Sequence, residues 1–126
     1  MKQFFTLVSA WMVLSSFTLN ASIDEMVKAL REGNAAEIAR YFDNTVEITL
    51  PDKSNSFSKS QGEVVLRDFF NNNPVKGFNL LHKGESNGSQ YCIGNLVTKY
   101  GTYRATVFMK LKAGRQILQE IRFENL

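Results

Sequence analysis

Few side chains in this chain can do chemistry. Among its 126 residues there is one imidazole, His82, and one thiol, Cys92. Imidazole is the commonest general base because its ordinary pKa lies near neutrality. His82 alternates with Phe78 and Leu80 along an extended run, which points it toward the apolar side near a strand end. There it can move a proton or serve as a plain hydrogen-bonding group. Asp43 follows Tyr41 and Phe42 at a helix end, where a carboxylate either faces a pocket or bonds nearby backbone as a turn residue. His82 and Asp43 are the two candidate catalytic residues. Tyr41, Tyr91 and Tyr103 carry hydroxyls that either donate into a cavity or reach the rim of a core. Gln119 is expected on an apolar face, where an amide must find partners. These three tyrosines and Gln119 are the candidate ligand-binding residues.

Other chemistries are excluded by what is missing. A lone Cys rules out an internal disulfide framework and a Cys-based zinc cluster, and a lone His rules out the usual multi-His metal sites. The chain has no Gly-rich phosphate loop, no nucleophile elbow and no metal-ligand spacing, so no metal and no cofactor are expected. Cys92 can link two chains, react, or fill a core as a small hydrophobe.

The elements that must position these residues read as helices followed by strands. Ser22 to Glu25 has the form of a capping box, and Ile23, Met26, Val27 and Leu30 follow on one helical face. Gly33 suits a left-handed helix end, and Asn34 to Glu37 starts a second helix bearing Ile38, Ala39, Tyr41 and Phe42. Val46, Ile48 and Leu50 alternate with polar residues as a half-buried strand ended by Pro51. Phe57 belongs to a short extended piece. Ser60 to Glu63 is a third capping box, ahead of Val64, Val65, Leu66, Phe69 and Phe70, and Asn71 to Pro74 closes that helix.

From Gly77 onward strands alternate with turns. Residues 84–88 read as a loop, and residues 99–101 and 112–114 read as three-residue hairpin loops with Gly third. That register sets Val97 opposite Tyr103, Ile93 opposite Val107, Tyr91 opposite Met109 and Val107 opposite Gln119, all on one apolar face. It leaves Leu96, Phe108 and Leu118 on the other face as the centre of a homodimer contact, with Arg104 facing Arg122. A slip of one residue exchanges the faces of the slipped strand.

The first 21 residues read as an address. Lys2 precedes an uncharged apolar run from Phe4 to Leu19, and Asn20–Ala21 offers a cleavage point, as in a secretory signal peptide. Sixteen helical residues span about 24 Å, short of the roughly 30 Å hydrocarbon core, so no stable membrane anchor is expected after cleavage. The expected product is a single domain of residues 22–126, exported to the periplasm or secreted. Hydrophobic residues make up 44% of the chain, a globular share. The formal net charge of +3 is too small a surplus for a nucleic-acid partner.

An amphipathic helix pair, a strand, a third helix and a meander of long antiparallel strands resemble the nuclear-transport-factor-two-like superfamily. Within that order, the stretch Tyr91-Cys92-Ile93-Gly94-Asn95-Leu96-Val97-Thr98 followed by Gly101-Thr102-Tyr103-Arg104 looks like a family of short exported bacterial domains of unknown function. The resemblance implies an α+β, cystatin-like cone in which three helices from the first half pack on a curved antiparallel sheet. It also implies a cavity at the open end, holding a small apolar or amphipathic ligand or a peptide. The superfamily hosts isomerases and dehydratases as well as binding domains, so an acid–base enzyme using His82 or Asp43 with a tyrosine is the alternative, and a homodimeric interaction module is another. Fold alone does not choose among them.

Overall fold

The computed structural model describes residues 21–126. The leader read at residues 1–21 lies, but for Ala21, outside them. Three helices and six strands follow in the order α1 (Ala21–Glu32), α2 (Ala35–Ala39), β1 (Phe42–Leu50), β2 (Lys53–Ser58), α3 (Lys59–Asn72), β3 (Val75–Ser86), β4 (Ser89–Thr98), β5 (Gly101–Lys112) and β6 (Arg115–Asn125). The strands form one sheet of order β2-β1-β6-β5-β4-β3. All neighbours are antiparallel except β1 and β6, which run parallel. The result is an α+β layer pair, with three helices on one face of a curved sheet.

Local sequence sets the helix ends. Ile23, Met26, Val27 and Leu30 are all buried, as their spacing requires. The helix already begins at Ala21, so Ser22 lies inside it and is not its cap. At the other end Gly33 takes a φ of 63°, its N–H bonds Leu30 O at 3.1 Å, and Asn34 N–H bonds Ala29 O at 2.9 Å. This is a Schellman termination, open to glycine because it has no Cβ penalty in the left-handed region. Asn34 then caps α2, its Oδ1 accepting from Glu37 N–H at 3.1 Å. The third capping box forms two residues earlier than expected. Ser58 Oγ accepts from Gln61 N–H at 3.3 Å, and Gln61 Oε1 accepts from Ser58 N–H at 3.4 Å. Glu63, freed from capping, pairs instead with Arg67 one turn on.

Helix α3 lies close on β1. A Cβ at Gly62 would stand 2.8 Å from Val46 Cγ1 and 2.9 Å from a Phe42 ring carbon, so the approach depends on that missing atom. Below it Leu66, Phe69 and Phe70 join Val46, Ile48, Leu96, Ile121 and Phe123 in one core. Phe69 stacks on Phe123 at 4.6 Å between centroids, and Phe70 meets Phe123 edge-on at 5.9 Å. No helix among the described residues is long and apolar enough to cross a membrane.

The hairpins correct the expected register. The loops hold two residues, not three: Thr98 pairs with Gly101 and Lys112 with Arg115. Residues 84–86 belong to β3, leaving Asn87–Gly88 alone as the turn. Both Asn87–Gly88 (φ 53° and 83°) and Ala113–Gly114 (φ 51° and 75°) have two successive left-handed residues. That is the type I′ geometry, whose twist matches that of the flanking strands. On β4 the two-residue loop Lys99–Tyr100 produces the one-residue slip against β5. Gln90, Cys92, Gly94, Leu96 and Thr98 face the helices and are buried, while Tyr91, Ile93 and Val97 turn outward. On β6 the bulge between the Met109–Leu118 and Phe108–Glu120 pairs leaves Gln119 unpaired, so Leu118 and then Ile121 and Phe123 point inward. Leu96 and Leu118, expected at a dimer face, are therefore fully buried core residues, and only Phe108 of that trio is exposed. Arg122 lies opposite Thr106 instead of Arg104, and Arg104 lies opposite Glu124.

Candidate functional site

The sheet and α3 together build a groove at one end of the cone. The β1–β2 turn supplies Leu50, Pro51, Asp52 and Lys53, and the last two turns of α3 supply Val65, Asp68 and Phe69. Asn72, Asn73 and Tyr103 complete it, around a volume of about 430 Å³. Its floor is apolar. Phe69 is buried beneath it and meets the Tyr103 ring edge-on at 5.5 Å. Its rim is polar. The Tyr103 hydroxyl donates to Asn73 Oδ1 at 3.0 Å. Asn73 is itself fixed, with its N–H and its Nδ2 both donating to Phe69 O, at 2.9 and 3.0 Å. The phenol is thus oriented by a side chain anchored to the helix terminus. Asp52, Lys53, Asp68, Asn72 and Asn73 thus border an apolar floor, a lining that suits a ligand with both apolar and polar parts.

The four residues expected to line one cavity do not meet. Tyr103 alone borders this groove. Tyr41 bonds Glu25 and lines a second groove at the α2–β1 corner. Tyr91, turned outward by the slip, lies over Gly84 and bonds His82, whose Nε2 is 2.7 Å from its hydroxyl. Gln119, the bulged residue, is exposed and borders a shallow groove on the outer sheet face with Phe108 and Glu120. Sequence alone could not separate these positions, because a parity error in β4 and a bulge in β6 each reverse an assignment without changing the composition of the strand.

The two candidate bases also stand apart. His82 is exposed on β3, beyond a bulge at Leu81, and pairs across the ladder with Ile93 on the outer face. Asp43 lines the second groove. Its Oδ1 accepts from Asn44 N–H at 2.8 Å, and Lys112 Nζ lies 3.4 and 3.5 Å from its two oxygens. The Asn44 N–H, followed by the Lys112 charge, holds this carboxyl below its ordinary value against an opposing effect of desolvation. Cys92 is fully buried, and burial pushes its thiol up to about 12, so it acts as a core hydrophobe. No group of three or more His, Cys, Asp or Glu among the described residues could hold a metal ion. Asn73 was missed as a site residue: beside Pro74 it reads only as a helix stop, and nothing in sequence links it to Tyr103, thirty residues on.

Solved structures share this architecture. A family protein from Bacteroides fragilis YCH46 is 30% identical, with a TM-score of 0.76, the match covering 81% of this chain and 96% of that one. One from Bacteroides uniformis ATCC 8492 is 28% identical, with a TM-score of 0.79, covering 82% and 95%. At the level of fold alone, an NTF2-like protein of unknown function from Cytophaga hutchinsonii ATCC 33406 matches at 12% identity and a TM-score of 0.57, covering 80% of this chain and 83% of that one. No curated protein matches the chain. The order of elements read from sequence thus belongs to an NTF2-like cone. The family model described as "Domain of unknown function (DUF4783)" matches residues 23–124, nearly the whole described region, and the chain belongs to that family.

Proposed function

We propose that the protein is an exported binding domain, periplasmic or secreted, that takes a small amphipathic ligand or peptide in the groove beside Tyr103. The observation that carries this reading is the Tyr103 hydroxyl held by Asn73 over the Phe69 floor. The groove volume of about 430 Å³ falls in the range of small-molecule sites. In this groove binding is favoured over acid–base turnover, because His82 and Asp43, the two bases read from sequence, both lie outside it. Export rests on the leader pattern of residues 1–21, and terminal sequencing of the protein made with its own leader tests it.

Ligand-observed NMR on the full chain, with mixtures of aliphatic and aromatic amines, alcohols and carboxylates, tests the binding. Loss of one neutral hydrogen bond is worth roughly a three- to tenfold change in affinity, so Tyr103→Phe should weaken the strongest hit by about that factor. Hits that bind Tyr103→Phe and Asn73→Ala as tightly as the parent would refute the assignment. A second copy of the chain, docked on the outer sheet face and not in this groove, is the other partner that one observation favours. Phe108 is 37% exposed on the outer sheet face, in register with Tyr91 on β4. Light scattering decides it, and a monomer at high micromolar concentration defeats it.

A further inference from the structure

The groove at the α2–β1 corner is separate from the Tyr103 groove, and its charge sets it apart. It is an open groove of about 600 Å³, bordered by Ser22 of α1, the corner itself, the β5–β6 hairpin and the first residue of α3. Four basic side chains line it, Arg40, Lys59, Lys112 and Arg115, against the single carboxylate of Asp43. Two of the four are already offset. Arg40 pairs with Glu37 at 3.3 Å, and Lys112 with Asp43 at 3.4 Å. Lys59 and Arg115 have no carboxylate within ion-pair distance among the described residues.

The backbone enforces this excess. The type I′ turn at Ala113–Gly114 holds Lys112 directly opposite Arg115 across the ladder. Like charges opposed in this way repel, and an anion between them relieves the repulsion. The basic groups stand on three separate walls, so a ligand with several acidic groups can meet more of them than a monoanion can. Leu111, 45% exposed, adds an apolar strip along the hairpin wall.

We propose that this groove binds a small molecule bearing two or more acidic groups: carboxylate, sulfate or phosphate. The groove volume is in the range of compact organic ligands.

Calorimetry on the full chain, with citrate, pyrophosphate and a disulfated disaccharide as separate probes and acetate as the monoanion control, tests the proposal and tells the acid types apart. At least one oligoanion should bind saturably, one per chain, and acetate should not. Lys59→Gln and Arg115→Gln should each raise its Kd about fivefold, the factor of one unit-charge attraction at contact in a water-like medium. Added salt should weaken it further. Both side chains are exposed and form no ion pair among the described residues, so the fold survives their loss, and far-ultraviolet circular dichroism verifies this. Tyr103→Phe should leave this Kd unchanged, which separates the result from the fate of the other groove. Absence of saturable binding by all three oligoanions, or binding that both substitutions leave intact, overturns the proposal.

Discussion

The β4–β5–β6 ribbon has two faces that solve the same problem differently. On the inner face Leu96, Val107, Leu118 and Ile121 are fully buried in one core with the apolar residues of α1 and α3. On the outer face no element among the described residues lies over the strands, and the side chains shield one another. Arg104 Nε donates to Asn95 Oδ1 at 3.1 Å, and Arg122 spans outward to Glu120 Oε2 at 2.7 Å with its guanidinium 5.5 Å from the Phe108 ring centroid. Thr106 beneath them is only 8% exposed. Burial therefore has two origins in one sheet. The inner kind is close packing, where atoms cannot be removed without a void. The outer kind is a canopy of long polar side chains over a strand, which can be rearranged.

Leu96→Ala should have the largest effect of any single change discussed here. It removes a fully buried side chain from the closed face and should cost about 2–5 kcal/mol, read as a fall in the denaturant midpoint. A cost below about 1 kcal/mol, the scale of an outer-face truncation, would erase the distinction between the faces. Gly94→Ala probes the same face by adding an atom. The new Cβ would stand 2.5 Å from Asn79 O and against the Phe78 ring, so overpacking should cost about 1–3 kcal/mol. Substitution at Gly77, where a Cβ meets nothing within 4 Å, is the control and should be nearly neutral.

These positions also explain what could be read in the sequence. Helical spacing identified Met26, Leu30, Leu66 and Phe69 because a helix face is set by local periodicity. The order of elements was enough for the cone. The β4 face was not legible from alternation alone, since Tyr91, Ile93 and Val97 make as plausible an apolar side as Cys92, Gly94 and Leu96. What fixes the face against β5 is the length of a turn: two residues, Lys99 and Tyr100, where a glycine in third place suggests three. The bulge at Gln119 leaves no sequence mark comparable to a glycine. The Tyr103 groove was half legible: the tyrosine was singled out, but its partner Asn73 and the β1–β2 turn come together only through the fold. The cations of the second groove were missed for the same reason, because Lys59 and Arg115 are far apart in sequence.

Tyr103 is where the two kinds of burial meet, half-buried at the inner face's edge with its hydroxyl on Asn73. Tyr103→Phe keeps the edge-on contact with Phe69 and removes only the hydrogen bond, so it should destabilise by about 0.5–1.5 kcal/mol in thermal or denaturant melts. A change as large as that of Leu96→Ala would make the hydroxyl part of the closed core and count against a role at an open groove.

Arg122→Gln should have the smallest effect, and it tests the outer face most sharply. The Arg122 and Glu120 side chains are 43% and 21% exposed, and Glu120 beside it raises the guanidinium pKa. A pair this open to solvent is worth at most about 1 kcal/mol, because water screens it and two long side chains must be held in place. In a monomer the denaturant midpoint should therefore barely move, and raised salt should shrink even that difference. The same substitution behaves otherwise if a second copy covers the face. The guanidinium over Phe108 would then be desolvated, and its loss would leave Glu120 buried without a partner, at a cost that grows with burial. A midpoint that falls steeply and depends on protein concentration would show that the outer face is closed by a partner, and that the two faces differ only in what covers them.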